Sequence, residues 1–185
     1  MKYLSNYIST LDFSLKAIDL VKVEHLIGIL DAARKENKRI VTCGNGGSAS
    51  TASHWATDLV KGASYERSSR FKVICLNESI PTLTAYSNDV SYDQALVEQL
   101  KNFASANDVF IAISGSGNSS NVLQAIQYAN EIGCKTIALT GRDGGKLGKL
   151  AQLEINVPDK HMGRIEDLHL AITHMISWFF IDPNL

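Results

Sequence analysis

The chain has 185 residues, a formal net charge of −1, 45% hydrophobic residues and 20% charged residues. This balance excludes a disordered chain, and the lack of excess positive charge argues against direct binding of nucleic acid. No apolar run reaches the roughly 18–20 residues of a membrane helix, and the start lacks a signal-peptide core. Three widely spaced cysteines favour buried thiols over disulfides. We therefore expect a single cytoplasmic domain spanning residues 1–185, with no membrane partner.

Two helices are predicted before the first strand. Apolar residues recur at steps of three and four from Leu4 to Ile18, and again from Val23 to Ala33. The first stripe is long for a helix that covers only its own small domain, so a partner subunit is a candidate to cover part of it. We expect residues 1–38 to serve in oligomer packing and residues 39–181 to form an α/β core.

From residue 39 onward, predicted strands alternate with predicted helices. The strands are Arg39–Cys43, Phe71–Leu76, Asp108–Ile113, Lys135–Leu139 and Leu153–Val157. The helices are Ala49–Lys61, Ile80–Ala85, Tyr92–Phe103, Asn121–Ile132 and Ile165–Ile181, and Arg142–Gly145 is a loop. Because the strands are apolar on both faces, they indicate a parallel sheet between two layers of helices. The fold class is therefore α/β, a three-layer sandwich with a five-stranded parallel sheet and two extra N-terminal helices.

Two loops rich in serine and glycine follow the first and third predicted strands. They are Gly44–Ser50 and Ser114–Ser120, and each leads into a helix. Ligands of open α/β sheets bind at the carboxyl ends of the strands, and free N–H groups at a helix N-terminus suit a phosphate. The simpler interpretation is that these residues only form turns and helix caps. Two such loops together favour a phosphorylated ligand, most plausibly a sugar phosphate.

The first loop also fits a dinucleotide-binding fingerprint, with Gly44, Gly46 and Ala49 at the required spacing. That motif needs an acidic residue about 20 positions further on, at the end of the next strand. The nearest candidate, Glu78, lies too far along the chain, and the fingerprint does not account for the second loop. We regard this alternative as the weaker one.

Taken together, several motifs resemble the sugar-isomerase (SIS) domain, specifically the phosphoheptose isomerase family. They are Cys43–Ser48 followed by His54, Ile113–Ser119, Asn88–Asp89, Ala138–Gly141, and Arg164–Ile165 leading to His174. The resemblance covers nearly the whole chain. It implies a flavodoxin-like sheet and a homotetramer with active sites at subunit interfaces. It also implies conversion of sedoheptulose 7-phosphate to D-glycero-D-manno-heptose 7-phosphate through an enediol.

The resemblance also implies roles for individual residues. The metal site, expected to hold one zinc ion per subunit, comprises His54, Asp58, Glu166 and His174. The catalytic acid and base are Asp58 and His174. The substrate-binding residues are Asn45, Gly46, Gly47, Ser48, Asp89, Ser114, Gly115, Ser116, Ser119 and Glu166. Spacing agrees in part, because His54 and Asp58 lie four apart on one helix face, although an exposed ion pair without function has the same spacing.

Three of these positions depart from the family pattern. Asp58 replaces a glutamate and is one methylene shorter, Glu166 replaces a glutamine and adds a charge, and Gly115 replaces a threonine. The departures keep two alternatives open. One is a non-catalytic SIS module that binds a phosphosugar or a protein partner, and the other is an isomerase of a different phosphosugar.

Overall fold

The computed structural model of the protein describes residues 1–182. The strands are β1 (Arg39–Cys43), β2 (Lys72–Cys75), β3 (Val109–Ser114), β4 (Lys135–Gly141) and β5 (Leu153–Val157). The helices are α1 (Lys2–Lys16), α2 (Leu20–Lys35), α3 (Gly47–Thr57), α4 (Ile80–Asp89), α5 (Ala95–Phe103), α6 (Ser120–Glu131), α7 (Gly145–Leu150) and α8 (Met162–Ile181). A π-helical turn, Asp58–Gly62, continues α3. None of the helices within the described range is long and apolar enough to cross a membrane.

The five strands form one sheet in the order β2-β1-β3-β4-β5, and all pairs are parallel. This is the flavodoxin order, in which the direction of strand addition across the sheet reverses between β1 and β3. The central strand β3 is buried along its whole length, as its uninterrupted apolar sequence requires. The predicted fold class is confirmed.

The sheet lies between two layers of helices. Apolar residues of α2, α3 and α8 pack on one face in a single core cluster with strand residues such as Ile111 and Leu139. Residues of α5, α6 and α7 pack on the other face around Phe110 and Ala138. Thus α2 contributes directly to the core, with Leu26 and Leu30 fully buried.

Helix α1 lies outside these layers and contacts mainly α8. Its only buried residue is Ser14, whose hydroxyl donates a hydrogen bond of 2.9 Å to Asp159 Oδ2. Most of its apolar residues are exposed, namely Tyr3, Leu4, Ile8, Phe13 and Leu15. The stripe predicted from the sequence is therefore largely uncovered within this chain.

The structure corrects several predicted element boundaries. Helix α3 begins at Gly47, so the second half of the first loop is helical, and its α-helical part ends at Thr57. The segment predicted as the loop Arg142–Gly145 leads into a helix, α7, which the sequence did not reveal because two of its six residues are glycines. Burial of Leu147 offsets their low helix propensity.

Candidate active site

The first loop is a tight turn between β1 and α3. Gly46 has a positive φ of 54° and precedes the helix. A side chain at Gly44 would meet the backbone of Ser48 at 2.6 Å, so only glycine fits there. The Asn77 side chain fixes Gly44 from the neighbouring strand end, accepting from its N–H at 3.1 Å and donating to its carbonyl at 2.9 Å. The loop is therefore rigid before any ligand binds.

The second loop brings three hydroxyl groups close together. Ser114 Oγ lies 3.5 Å from both Ser116 Oγ and Ser119 Oγ. The Gly117 N–H donates to Ser114 Oγ at 3.2 Å, which keeps the loop curled around these atoms. Ser119 precedes α6 but makes no capping hydrogen bond, so its hydroxyl is available to a ligand. Together with the free N–H groups at the start of α6, this arrangement suits a phosphate.

Asn45 joins the two loops. Its side-chain amide exchanges two hydrogen bonds of 2.9 Å with Asn121 at the start of α6. Tyr92 donates a further hydrogen bond of 2.7 Å to Asn45 Oδ1. Asn121, Tyr92 and Asn77 were not predicted as site residues. The only sequence signal for them was the position of Asn77 and Asn121 just after a strand end or a serine-rich loop.

A cavity of about 240 Å³ lies between the loops. Nine of the ten predicted substrate-binding residues line it, namely Asn45, Gly46, Gly47, Ser48, Ser114, Gly115, Ser116, Ser119 and Glu166. Two residues that were not predicted, Ile113 and Met162, complete the lining. The tenth, Asp89, lies at the end of α4 in a separate cavity beside Tyr86 and accepts a hydrogen bond of 2.8 Å from Asn88. The structure of the single chain does not bring Asp89 to the loops.

A second group of functional side chains lies further along the same two helices. His54 on α3 and His174 on α8 approach with their Nε2 atoms 2.9 Å apart. Asp58 Oδ2 lies 3.5 Å from the first of these nitrogens and 3.9 Å from the second. This oxygen is buried and has no hydrogen-bond partner, although the side chain as a whole is partly accessible.

The three side chains fit a zinc ion. One ligand atom from each lies within 4.8 Å of the other two. Ligands of tetrahedral zinc at about 2.0–2.1 Å stand about 3.3 Å from one another, and the three observed separations bracket that value. The orphaned Asp58 oxygen and two facing imidazole nitrogens are donors that a cation would satisfy.

Glu166 does not belong to this group of three. It lines one side of the loop cavity, where a side chain on Gly47 would meet the Glu166 carboxylate at 2.6 Å. Of its two predicted roles, the geometry of the single chain favours contact with substrate. Coordination of a metal by Glu166 remains a prediction.

His169 lies on α8 between Glu166 and His174 but is fully buried. Its Nε2 contacts the Thr140 carbonyl at 2.9 Å and donates to it, while Nδ1 has no partner. Burial lowers the pKa of His169 to about 4, so the ring is neutral at pH 7. It is a packing residue. Burial likewise raises the pKa of the Cys134 thiol to about 11, which argues against a nucleophilic role.

Comparison with known proteins agrees with this geometry. The SIS-domain family profile matches residues 2–141. The phosphoheptose isomerase of Aliarcobacter butzleri is 42% identical over 142 residues, covering 77% of this chain and 75% of the relative. The phosphoheptose isomerase of Helicobacter hepaticus is 39% identical over 154 residues, covering 83% and 78%. The solved structure of phosphoheptose isomerase from Neisseria gonorrhoeae superposes with a TM-score of 0.89 at 28% identity, covering 97% of both chains. The chain therefore belongs to the phosphoheptose isomerase family of SIS-domain proteins.

Proposed function

We propose that this protein is an aldose–ketose isomerase that converts sedoheptulose 7-phosphate to D-glycero-D-manno-heptose 7-phosphate through an enediol. The observation that carries this proposal is the pairing of two sites along α3 and α8, which pack side by side. Each helix contributes to the loop cavity near its start, through Gly47 and Glu166, and to the histidine–aspartate group further on. Family membership supplies the reaction.

The separation of the two sites suits a long sugar. Glu166 and His174 are eight residues apart, which corresponds to about 12 Å along a helix. An extended seven-carbon chain with a terminal phosphate is about 10 Å long. A phosphate held by Ser114, Ser116 and Ser119 would therefore leave the first two carbons within reach of Asp58 and His174. Binding at the distant phosphate orients those carbons and lowers the entropic part of the barrier.

Isomerisation moves a proton between C1 and C2, which requires a base and an acid beside those carbons. Asp58 Oδ2 is unpaired and faces both imidazoles, so it is placed to take the proton. His174 is placed to return a proton to the neighbouring carbon or oxygen. Zinc held by His54, Asp58 and His174 would occupy these same atoms. It would then polarise the substrate oxygen as a Lewis acid, and the second Asp58 oxygen would carry the proton between the two carbons. Glu166 would contact the sugar hydroxyls from the cavity wall.

We further propose that the protein acts in the cytoplasm as a homotetramer with sites at subunit interfaces. The exposed apolar residues of α1 form an uncovered surface, to which Trp178 and Phe179 of α8 add two exposed rings. Exposed apolar surface of this extent is typical of subunit contacts. A neighbouring subunit could also contribute Asp89 or Glu166 contacts that the single chain leaves incomplete.

The direct test is incubation of purified protein with sedoheptulose 7-phosphate, with and without zinc, while aldose formation is followed. Asp58→Asn and His174→Gln should each reduce the rate by at least about 10², because each removes a proton-transfer group. His25→Gln is the matched control, since His25 lies at the opposite, amino end of the strands beside Lys135. No conversion by the unmodified protein under either condition would refute the proposal.

One observation keeps a second candidate function in view. Asp58 is one methylene shorter than the glutamate of the family pattern, and its Oδ2 lies 3.5 and 3.9 Å from the two histidines. The second candidate is therefore a module that binds a phosphosugar or protein without turnover, or an isomerase of another phosphosugar. A panel of sugar phosphates followed by thermal unfolding separates these functions. A ligand at 100 times its Kd adds about 2.7 kcal/mol of stability. Stabilisation by sedoheptulose 7-phosphate without conversion would favour the binding module.

A further inference from the structure

A larger cavity adjoins the loop cavity on the far side of Ser116. Its volume is about 720 Å³, and Ser116 lines both cavities. The remaining lining residues are Asn118, Arg142, Asp143, Pro158, Asp159 and Lys160. The larger cavity therefore lies directly beside a residue of the second loop.

The two cavities differ in charge. Among the described residues, no lysine or arginine lines the loop cavity, and its one charged group is the Glu166 carboxylate. A phosphate monoester brings close to two negative charges at neutral pH. The larger cavity carries two cations, Arg142 and Lys160, both exposed. Within residues 1–182, neither side chain makes an ion pair or a hydrogen bond, so both charges are available.

The acidic groups of the larger cavity are already engaged. Asp159 is almost fully buried and holds a bidentate pair with Arg164 at 2.7 and 2.8 Å. Asp143 is exposed, and its Oδ1 accepts the Gly145 N–H at 3.2 Å. Because Arg164 balances Asp159, the unbalanced charges are two cations and one exposed carboxylate. The cavity is therefore net positive beside a hydroxyl of the second loop.

The backbone of Arg142 is held in an unusual conformation. Its φ is 55°, in the left-handed region that side chains other than glycine seldom adopt. The Arg142 N–H donates to the Asp159 carbonyl at 3.0 Å, which holds the residue at the cavity wall. Residues kept in a disfavoured conformation cluster at ligand sites. Its backbone conformation and this hydrogen bond fix Arg142 at the cavity wall.

We propose that Arg142 and Lys160 form a cationic subsite that attracts and holds the phosphate group bound by the second loop. The hydroxyls of that loop supply hydrogen bonds, and the two cations supply the charge that the loop itself lacks. The sugar part of this inference rests on the proposed isomerase function, but recognition of the phosphate does not.

The test compares Arg142→Gln, Lys160→Gln and the double variant with the unmodified protein at low salt. Two quantities are measured: KM for sedoheptulose 7-phosphate and the Kd for inorganic phosphate by calorimetry. Each single variant should raise both KM and Kd about threefold and the double variant about tenfold, with kcat unchanged, as expected for exposed charges. These losses should shrink as salt is added, because screening already weakens the attraction in the unmodified protein.

Three controls sharpen the result. Arg142→Lys should retain most of the phosphate affinity because it retains the charge. Asp143→Asn should tighten phosphate binding because it removes the exposed carboxylate of the cavity. Lys149→Gln should leave the affinity unchanged, since Lys149 is exposed on α7 and does not line the cavity. The inference is overturned if the double variant binds phosphate as well as the unmodified protein. Binding of two phosphates per chain, with only one lost in the double variant, would also overturn it. If the unmodified protein binds phosphate but does not convert sedoheptulose 7-phosphate, the proposed isomerase function is refuted. The Kd values of the variants for inorganic phosphate then still test the cationic subsite.

Discussion

Replacing Gly115 by threonine, the residue of the family pattern, should destabilise this protein because Met162 occupies the space that the new side chain needs. A Cβ at Gly115 would lie 2.6 Å from Met162 Sδ and 3.2 Å from Ile165 Cγ2. Overpacking of this kind costs about 1–3 kcal/mol. Since methionine is flexible and Met162 is only partly buried, we expect about 1.5 kcal/mol.

The reasoning is tested by a double-mutant cycle with Met162→Ala. The single variant Met162→Ala should lose about 1 kcal/mol, and the combined variant should regain most of the loss caused by threonine, with a coupling energy of about 1–2 kcal/mol. Urea unfolding measures the stabilities. The combined variant should also bind phosphate about tenfold more tightly, since one hydroxyl donor to a charged group contributes about 1.5 kcal/mol. Strictly additive losses would refute the idea that Met162 fills the place of the threonine.

Three further predictions follow from other parts of the structure. His169→Gln should flatten the dependence of the free energy of unfolding on pH. In the unmodified protein the folded pKa of His169, about 4, lies below its unfolded value of about 6.5, so stability is lost as pH falls between these values. The loss should be about 3 kcal/mol in the unmodified, metal-free protein and absent in the variant. Arg164→Ala should cost about 3 kcal/mol in urea unfolding, because it removes the positive charge beside the buried Asp159 carboxylate and leaves it only the Ser14 hydroxyl and the His161 N–H. A loss under about 1 kcal/mol would contradict this. Gly117→Ala should cost about 3 kcal/mol and abolish phosphate binding, because its φ is 64° and the methyl group would clash with the adjacent loop backbone. The control for Gly117 is Gly133→Ala, at a φ of 81°, where the methyl group would make only an ordinary 3.8 Å contact with Ala106 and should cost about 1 kcal/mol by thermal unfolding.

The sheet could be predicted from the sequence because its strands are buried on both faces. The observed bounds of β1 and β5 equal the predicted ones, and β2, β3 and β4 differ by one or two residues at their ends. The two loops were equally visible, since their composition contrasts with the apolar runs that precede them. Parallel strands then placed both loops at one edge, which is why nine predicted residues share one cavity.

The partners of the loops could not be predicted in the same way. Met162 reaches Gly115 from α8, and Tyr92 reaches Asn45 from the start of the segment before α5. Neither contact has a local sequence pattern, because each depends on how a distant helix packs on the sheet. The position of Glu166 is a related case: the helix ridge placed it near His174 in sequence, but the rotation of α8 directs its carboxylate towards Gly47.

The helix that begins as α3 changes its hydrogen-bonding pattern at Asp58. The sequence predicted one α-helix through residues 49–61, yet the regular hydrogen bonding ends at Thr57 and the Asp58 carbonyl accepts from the Ala63 N–H at 2.9 Å. No proline interrupts the segment, and the wider turn ends at Gly62. Its end is packed against α8, where a side chain on Gly62 would meet Ile181 Cδ1 at 2.7 Å. Single π-helical turns inside α-helices are frequent at functional sites. Because α8 also carries His174, the helix packed against the end of the wide turn is the same one that brings the second histidine to Asp58.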